Sequence, residues 1–229
     1  MKLLNIGQAL CGVQGREDDI ASPKHPPVRD VVEAMRNRYK FVTTPNLGYP
    51  EETPTNLFPN VIFRGGALEI GDEKISIGHM AIASTSIIVA CDSSESGDKV
   101  VDDVIETLSE FGLRYGVKSV RRQYMTTMVV EFESGFVDKV DLIEKIAAII
   151  DTKMPKYGSS EPVRFKRLSF GRTVEEVVSW DQIVRTSFTL ERRVGYDFDE
   201  NKYFCSAPMP SGDLAEALKQ IEEFVLGHS

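Results

Sequence analysis

The 229 residues of this chain suffice to bury one large core or two small ones, and 41% hydrophobic with 27% charged content is ordinary for a globular protein. A net charge of -8 and a pI of about 5.1 argue against nucleic-acid binding through overall charge. No stretch reaches the roughly 18 consecutive apolar residues of a membrane-spanning helix.

The charge is uneven. Residues 1–117 hold 11 Lys and Arg against 17 Asp and Glu, a balance of -6, and residues 118–229 hold 16 against 18, a balance of -2. A basic surface is expected only in the second part. Cys11, Cys91 and Cys205 are odd in number, widely spaced and without a C-x-x-C pair. That usage suits a reducing compartment and argues against a disulfide framework or a zinc ribbon, so a cytoplasmic location is expected. Near the N-terminus Asn5 and Gln8 interrupt the apolar stretch, and Leu10 rather than a small residue precedes Cys11. The segment reads as a strand, not as a secretory or lipoprotein signal.

In chain order, residues 22–27 form a loop, and Pro27 suits a first helical turn. Val31, Val32, Met35 and Tyr39 then define an amphipathic helix over 28–39. Residues 43–60 contain Pro45, Pro50, Pro54 and Pro59 and read as a long loop. Strands are expected at 61–70, 74–81 and 83–91, with Gly71-Asp72 as a turn and Ile87 to Ala90 buried on both faces. Val100, Val101, Val104, Ile105, Leu108, Phe111 and Tyr115 predict a helix over 97–115, with Ser96 as N-cap and Gly116 as terminator.

A long strand follows at 119–133, then a helix at 138–151 and a loop at 152–161. Strands are expected near 162–171, 186–195 and 202–207. Thr173 to Glu176 matches a capping box, which predicts a short helix at 174–182. Ser211 is placed as the cap of a last helix, with Leu214, Ala217, Leu218, Ile221 and Val225 inward and Gly227 at its end. The stretches 61–115 and 162–226 share a coarse pattern of strands followed by one helix, without residue-level repetition. The sum predicts an α+β fold, antiparallel sheet with amphipathic helices packed on one face. One compact domain over 1–229 is expected, with two intimate subdomains, 1–133 and 134–229, as the alternative division.

Three strand segments carry an arginine in an apolar phase: Arg122 within Val120 to Phe132, Arg167 within Val163 to Arg167, and Arg192 within Phe188 to Val194. Side chains two apart share a face of a strand, so these arginines are expected to point where the hydrophobes point. The phase is clearest for Arg122. For Arg167, Leu168 and Phe170 define the opposite phase equally well. Buried arginines meet carboxylates or line a polar cleft, which makes Arg122, Arg167 and Arg192 the candidate binding residues.

Other motifs carry less. Arg64-Gly65-Gly66 lacks the spacing of a phosphate-binding loop and reads as a bulge. His25, His79 and His228 are scattered, and neither they nor the cysteines show metal-ligand spacing, so no metal or cofactor is expected. Asp197 to Asn201 lacks the glycine and distal glutamate of a calcium loop. Arg164, Lys166, Arg167, Arg172, Arg185, Arg192 and Arg193, with Tyr196, Phe198, Tyr203 and Phe204 nearby, are compatible with single-stranded nucleic acid, though interspersed acids favour a solvated face.

No catalytic residue is legible, and whether the chain is an enzyme is left open. The expected function is a non-enzymatic cytoplasmic binding protein that acts through a protein partner. The alternatives are a small-anion binder or enzyme built on the strand arginines, and single-stranded nucleic-acid binding. Self-association is also expected, because strands 83–91 and 186–195 carry no proline and suit pairing across a two-fold axis.

Overall fold

The period-two apolar pattern becomes one eight-stranded sheet. The computed structural model describes residues 1–15, 20–21, 28–45, 60–115, 121–133, 136, 167–171, 187–196 and 200–227. Within them the elements are β1 (Lys2–Gln14), β2 (Ile20–Ala21), α1 (Val28–Tyr39), β3 (Val61–Ile70), β4 (Glu73–Ile82), β5 (Ser86–Cys91), α2 (Ser94–Glu110), β6 (Arg114–Tyr115), β7 (Arg121–Glu131), β8 (Arg167–Gly171), β9 (Ser187–Arg192), β10 (Lys202–Ala207) and α3 (Ser211–Leu226). The main sheet runs β3-β4-β5-β1-β7-β10-β9-β8, antiparallel throughout, and β2 pairs with β6 in a separate ribbon. The fold is α+β, as the sequence predicts. The expected helices at 138–151 and 174–182 and most of the expected loop at 43–60 lie outside the described residues.

The three described helices occupy one face. On one side of the β1–β7 pair, Val31, Val32, Met35 and Tyr39 of α1 join Val100, Val101, Val104 and Leu108 of α2 over Cys11, Phe63, Met80 and Val89. On the other side, Leu214 and Leu218 of α3 cover Met128, Val130, Leu190, Tyr203 and Cys205. Phe132 and Phe136 stack there with ring centroids 4.1 Å apart. On the face opposite the described helices, Ile62, Ala81 and Ile88 lie in one row across β3, β4 and β5, and Ala90, Leu10 and Met125 in the next. Of the run expected to be buried on both faces, Ile87, Val89 and Ala90 are buried and Ile88 is half-buried.

Several local expectations are corrected. Helix α2 starts three residues earlier than predicted, because Ser93 takes the extended N-cap conformation and its hydroxyl accepts the Ser96 N–H at 3.1 Å. It ends at Glu110, because Gly112 turns the chain at φ +80 and releases Arg114–Tyr115 to pair with β2. In α3, Ser211 is the first helical residue and Pro210 the cap, while Gly227 closes the helix in the left-handed conformation. A glutamate, Glu222, sits buried on the inner face of α3, where its carboxylate accepts the Glu133 N–H at 2.9 Å. The strands expected to serve as sheet edges, β5 and β9, are internal and hydrogen-bonded on both sides. Among the described strands the edges are β3 and β8, and β3 is partly covered by the Thr43–Arg64 bridge.

Candidate functional site

Helix α2 comes close to the central strands because residue 97 is glycine: a Cβ there would stand 2.7 Å from Cys11 Cβ. That approach brings Asp98 over β1 and β7. Its Oδ1 accepts from Cys11 Sγ at 2.9 Å and from Arg122 Nη1 at 2.9 Å, and the Tyr124 hydroxyl donates to Oδ2 at 3.1 Å. Arg122 also donates through Nη2 to Asp102, one turn further along α2. The side chains of Arg122 and Asp98 are 30% and 35% exposed and that of Asp102 is 68% exposed, so the cluster grades from buried thiol to solvent.

The electrostatics make this a holding cluster rather than a reactive one. Burial, reinforced by Asp98, pushes the Cys11 thiol far above its ordinary value. Burial and the same carboxylate push the Tyr124 phenol up to about 12. Burial opposes the charge on Arg122, but Asp102 and Asp98 outweigh it and hold the guanidinium more firmly protonated. A thiol kept protonated is neither a nucleophile nor a metal ligand. Cys91 and Cys205 are likewise buried, each pushed up to about 12 by burial.

Of the three predicted arginines, the two with described side chains, Arg122 and Arg192, do not converge. Arg122 lies on the helix-bearing face, in the phase of Thr126, Met128 and Val130, and meets two carboxylates of its own chain. Arg192 is buried in the second core, in register with Tyr203, whose hydroxyl lies 3.3 Å from its Nη1 and whose ring centroid lies 5.3 Å from its guanidinium. Tyr203 pairs with Val130, eight residues along β7 from Arg122, which separates the two arginines by about 27 Å along the strand. In β8, Leu168 is the residue in register with Leu190, Cys205 and Met128 of the core, while Arg167 pairs with Glu191; the Arg167 side chain lies outside the described residues.

A second network escapes sequence reading. Asp103 of α2 accepts from Tyr39 OH at 2.6 Å and from Arg38 Nε at 2.6 Å, tying α1 to α2. The available signal is Tyr39 itself: a tyrosine in a buried stripe requires a partner for its hydroxyl. Burial alone would raise the Asp103 pKa, but the Arg38 and Tyr39 hydrogen bonds outweigh it and hold the carboxyl below its usual range. A folded-state pKa below the unfolded one contributes stability that is present above about pH 4 and is lost as pH falls through the folded value. Melts from pH 7 to about pH 3 are therefore expected to show a smaller loss for Arg38→Met than for wild type; equal losses would contradict this pairing.

The remaining motifs resolve as backbone features. Gly65 has φ +61, and Gly66 lies under the Phe41 ring, where a Cβ would stand 2.5 Å from Cδ1. Arg193 and Lys202 flank the Tyr196 ring at 5.0 and 4.3 Å, and Lys202 pairs with Glu200 at 2.5 Å. Tyr203 is fully buried, and Arg164, Lys166, Arg172, Arg185 and Phe198 lie outside the described residues. Among the described residues no three His, Cys, Asp or Glu side chains are grouped to hold a metal ion. Neither a scan against protein-family models nor a search of curated proteins finds a match to this chain.

Proposed function

We propose that this chain is a non-enzymatic binding protein that acts through a protein partner, with self-association as one form of that partnership. The observation that carries this reading is a set of exposed and half-buried apolar side chains on the sheet face opposite the described helices. Ile62 on β3 is 45% exposed there and Phe204 on β10 36%, and Ile88, Leu10 and Met125 on the strands between them are half-buried. Apolar side chains left at the surface of a sheet face are available for protein contact. The three cysteines are buried and free of disulfides, which agrees with a reducing, cytoplasmic setting. The small-anion reading is weaker, because Arg122, its best residue, is already paired with Asp98 and Asp102.

The test compares wild type with Ile62→Asp/Phe204→Asp and with Phe224→Asp on the helix side, where Phe224 is 81% exposed. Light scattering and affinity capture are expected to show an associated protein, or a second copy, with wild type and Phe224→Asp and none with the double variant. Equal capture by all three would reject the face assignment.

A further inference from the structure

We infer that the chain is an intramolecular dimer: two structurally equivalent units, β1-β3-β4-β5-α2 and β7-β8-β9-β10-α3, joined back to back through their first strands. The sheet order β3-β4-β5-β1-β7-β10-β9-β8 is unchanged when β1 exchanges with β7, β5 with β10, β4 with β9 and β3 with β8. The pairing agrees residue by residue. In the first unit Cys91, Ala90, Val89, Ile88, Ile87 and Ser86 pair with Ala9, Leu10, Cys11, Gly12, Val13 and Gln14. In the second unit Ala207 back through Lys202 pair, in the same order, with Thr126 through Glu131. The next ladder continues the match, with Met80–Val89 against Leu190–Cys205 and Ile82–Ile87 against Arg192–Tyr203.

The axis of this symmetry can be located. It passes through the Ala9–Thr126 pair, which the matched ladders make each other's equivalents. Above that pair the two equivalent helices meet at their first residues. Ser94 N donates to Ser211 Oγ at 3.1 Å, Ser211 N donates to Ser94 Oγ at 2.9 Å, and the two hydroxyls lie 3.0 Å apart. Reciprocal bonds between the same two atoms of each partner are the signature of an isologous contact. Glu95 adds a carboxylate between the two helix starts, accepting from Ser211 Oγ at 2.9 Å.

Residue types do not follow the symmetry, which is why no repeat is visible in the sequence. Cys11, Tyr124 and Arg122 correspond to Met128, Ile6 and Leu3, and Asp98 corresponds to Ala215. The cluster of Cys11, Tyr124, Arg122 and Asp98 thus has an apolar counterpart across the axis, so seating a helix at this place does not require it. The symmetry also makes the gap from α3 to β1 equivalent to the gap from α2 to β7, which residues 111–120 span.

The order of the two units in the chain is therefore interchangeable. The test is a circular permutant that begins at β7, runs through α3 and a flexible Gly/Ser linker into β1, and ends after β6; linkers of about ten and about fifteen residues are both made. A control of the same linker lengths is opened inside a unit, in the 83–85 turn between β4 and β5. The unit-order permutant is expected to scatter as the parent does and to melt within about 5 °C of it, with the control melting well below both. Failure of the unit-order permutant with both linkers, or a control at least as stable, would overturn the inference.

Discussion

Leu108→Ala is expected to destabilise the protein by about 2–5 kcal/mol, a large share of the roughly 5–15 kcal/mol typical of a domain. Leu108 has no exposed surface and lies where α2 crosses the first core, beside Val104 and Leu113. Truncation there removes transfer energy and leaves a cavity that the sheet below and the α1 helix alongside restrict from collapsing. The Leu108 carbonyl also accepts the Phe111 and Leu113 N–H groups that end the helix, so relaxation of the backbone toward the cavity would strain that turn. Phe111, on the same stripe, is only half-buried, and its truncation is expected to cost less than that of Leu108. Chemical denaturation measures both; a Leu108→Ala variant melting within a degree or two of wild type would contradict this packing.

The second large effect is expected at Arg122. Arg122→Met leaves Asp98 and Asp102 without their cation and the Cys11 and Tyr124 donors facing a carboxylate that has lost its main charge partner. Breaking a fully buried pair costs about 3–5 kcal/mol and breaking an exposed one about 0.2–1 kcal/mol. With Arg122 and Asp98 each about one-third exposed, the loss is expected between those limits. Asp98→Asn in the same chain should recover part of it, because the stranded charge is then removed as well. Additive losses in the double-variant cycle would show that the two side chains do not interact.

How much of this was legible depends on the range over which the cause acts. Helix α1 is set by a local stripe and matches its predicted bounds, as does β10. The inward phase of Arg122 is also local, because alternation along β7 fixes it. Its partners are not: Asp98 and Asp102 lie on a helix whose seat depends on the close contact of Gly97 with Cys11. The start of α2 was ambiguous for a different reason. Ser93, Ser94 and Ser96 are all competent caps, and the backbone conformation of Ser93 decides among them. Strand order is the least local property. The proline-free β5 and β9 are interior because the chain returns through α2 and the later strands to pair β7 against β1, which nothing in either strand announces. The internal symmetry hides for the same reason: it survives in pairing register while Ile82 and Arg192, at matched positions, share no chemistry.

Arg122 is bound to the chain's own carboxylates, and under the proposed function it anchors no anion site. Thermal melts of wild type and Arg122→Met, each alone and with a panel of phosphorylated and carboxylated metabolites, test it most directly. The expected result is a lower melting temperature for Arg122→Met and no ligand-induced shift in either protein. A metabolite that raises the melting temperature of wild type and has no effect on Arg122→Met would contradict the claim and restore the anion-binding reading.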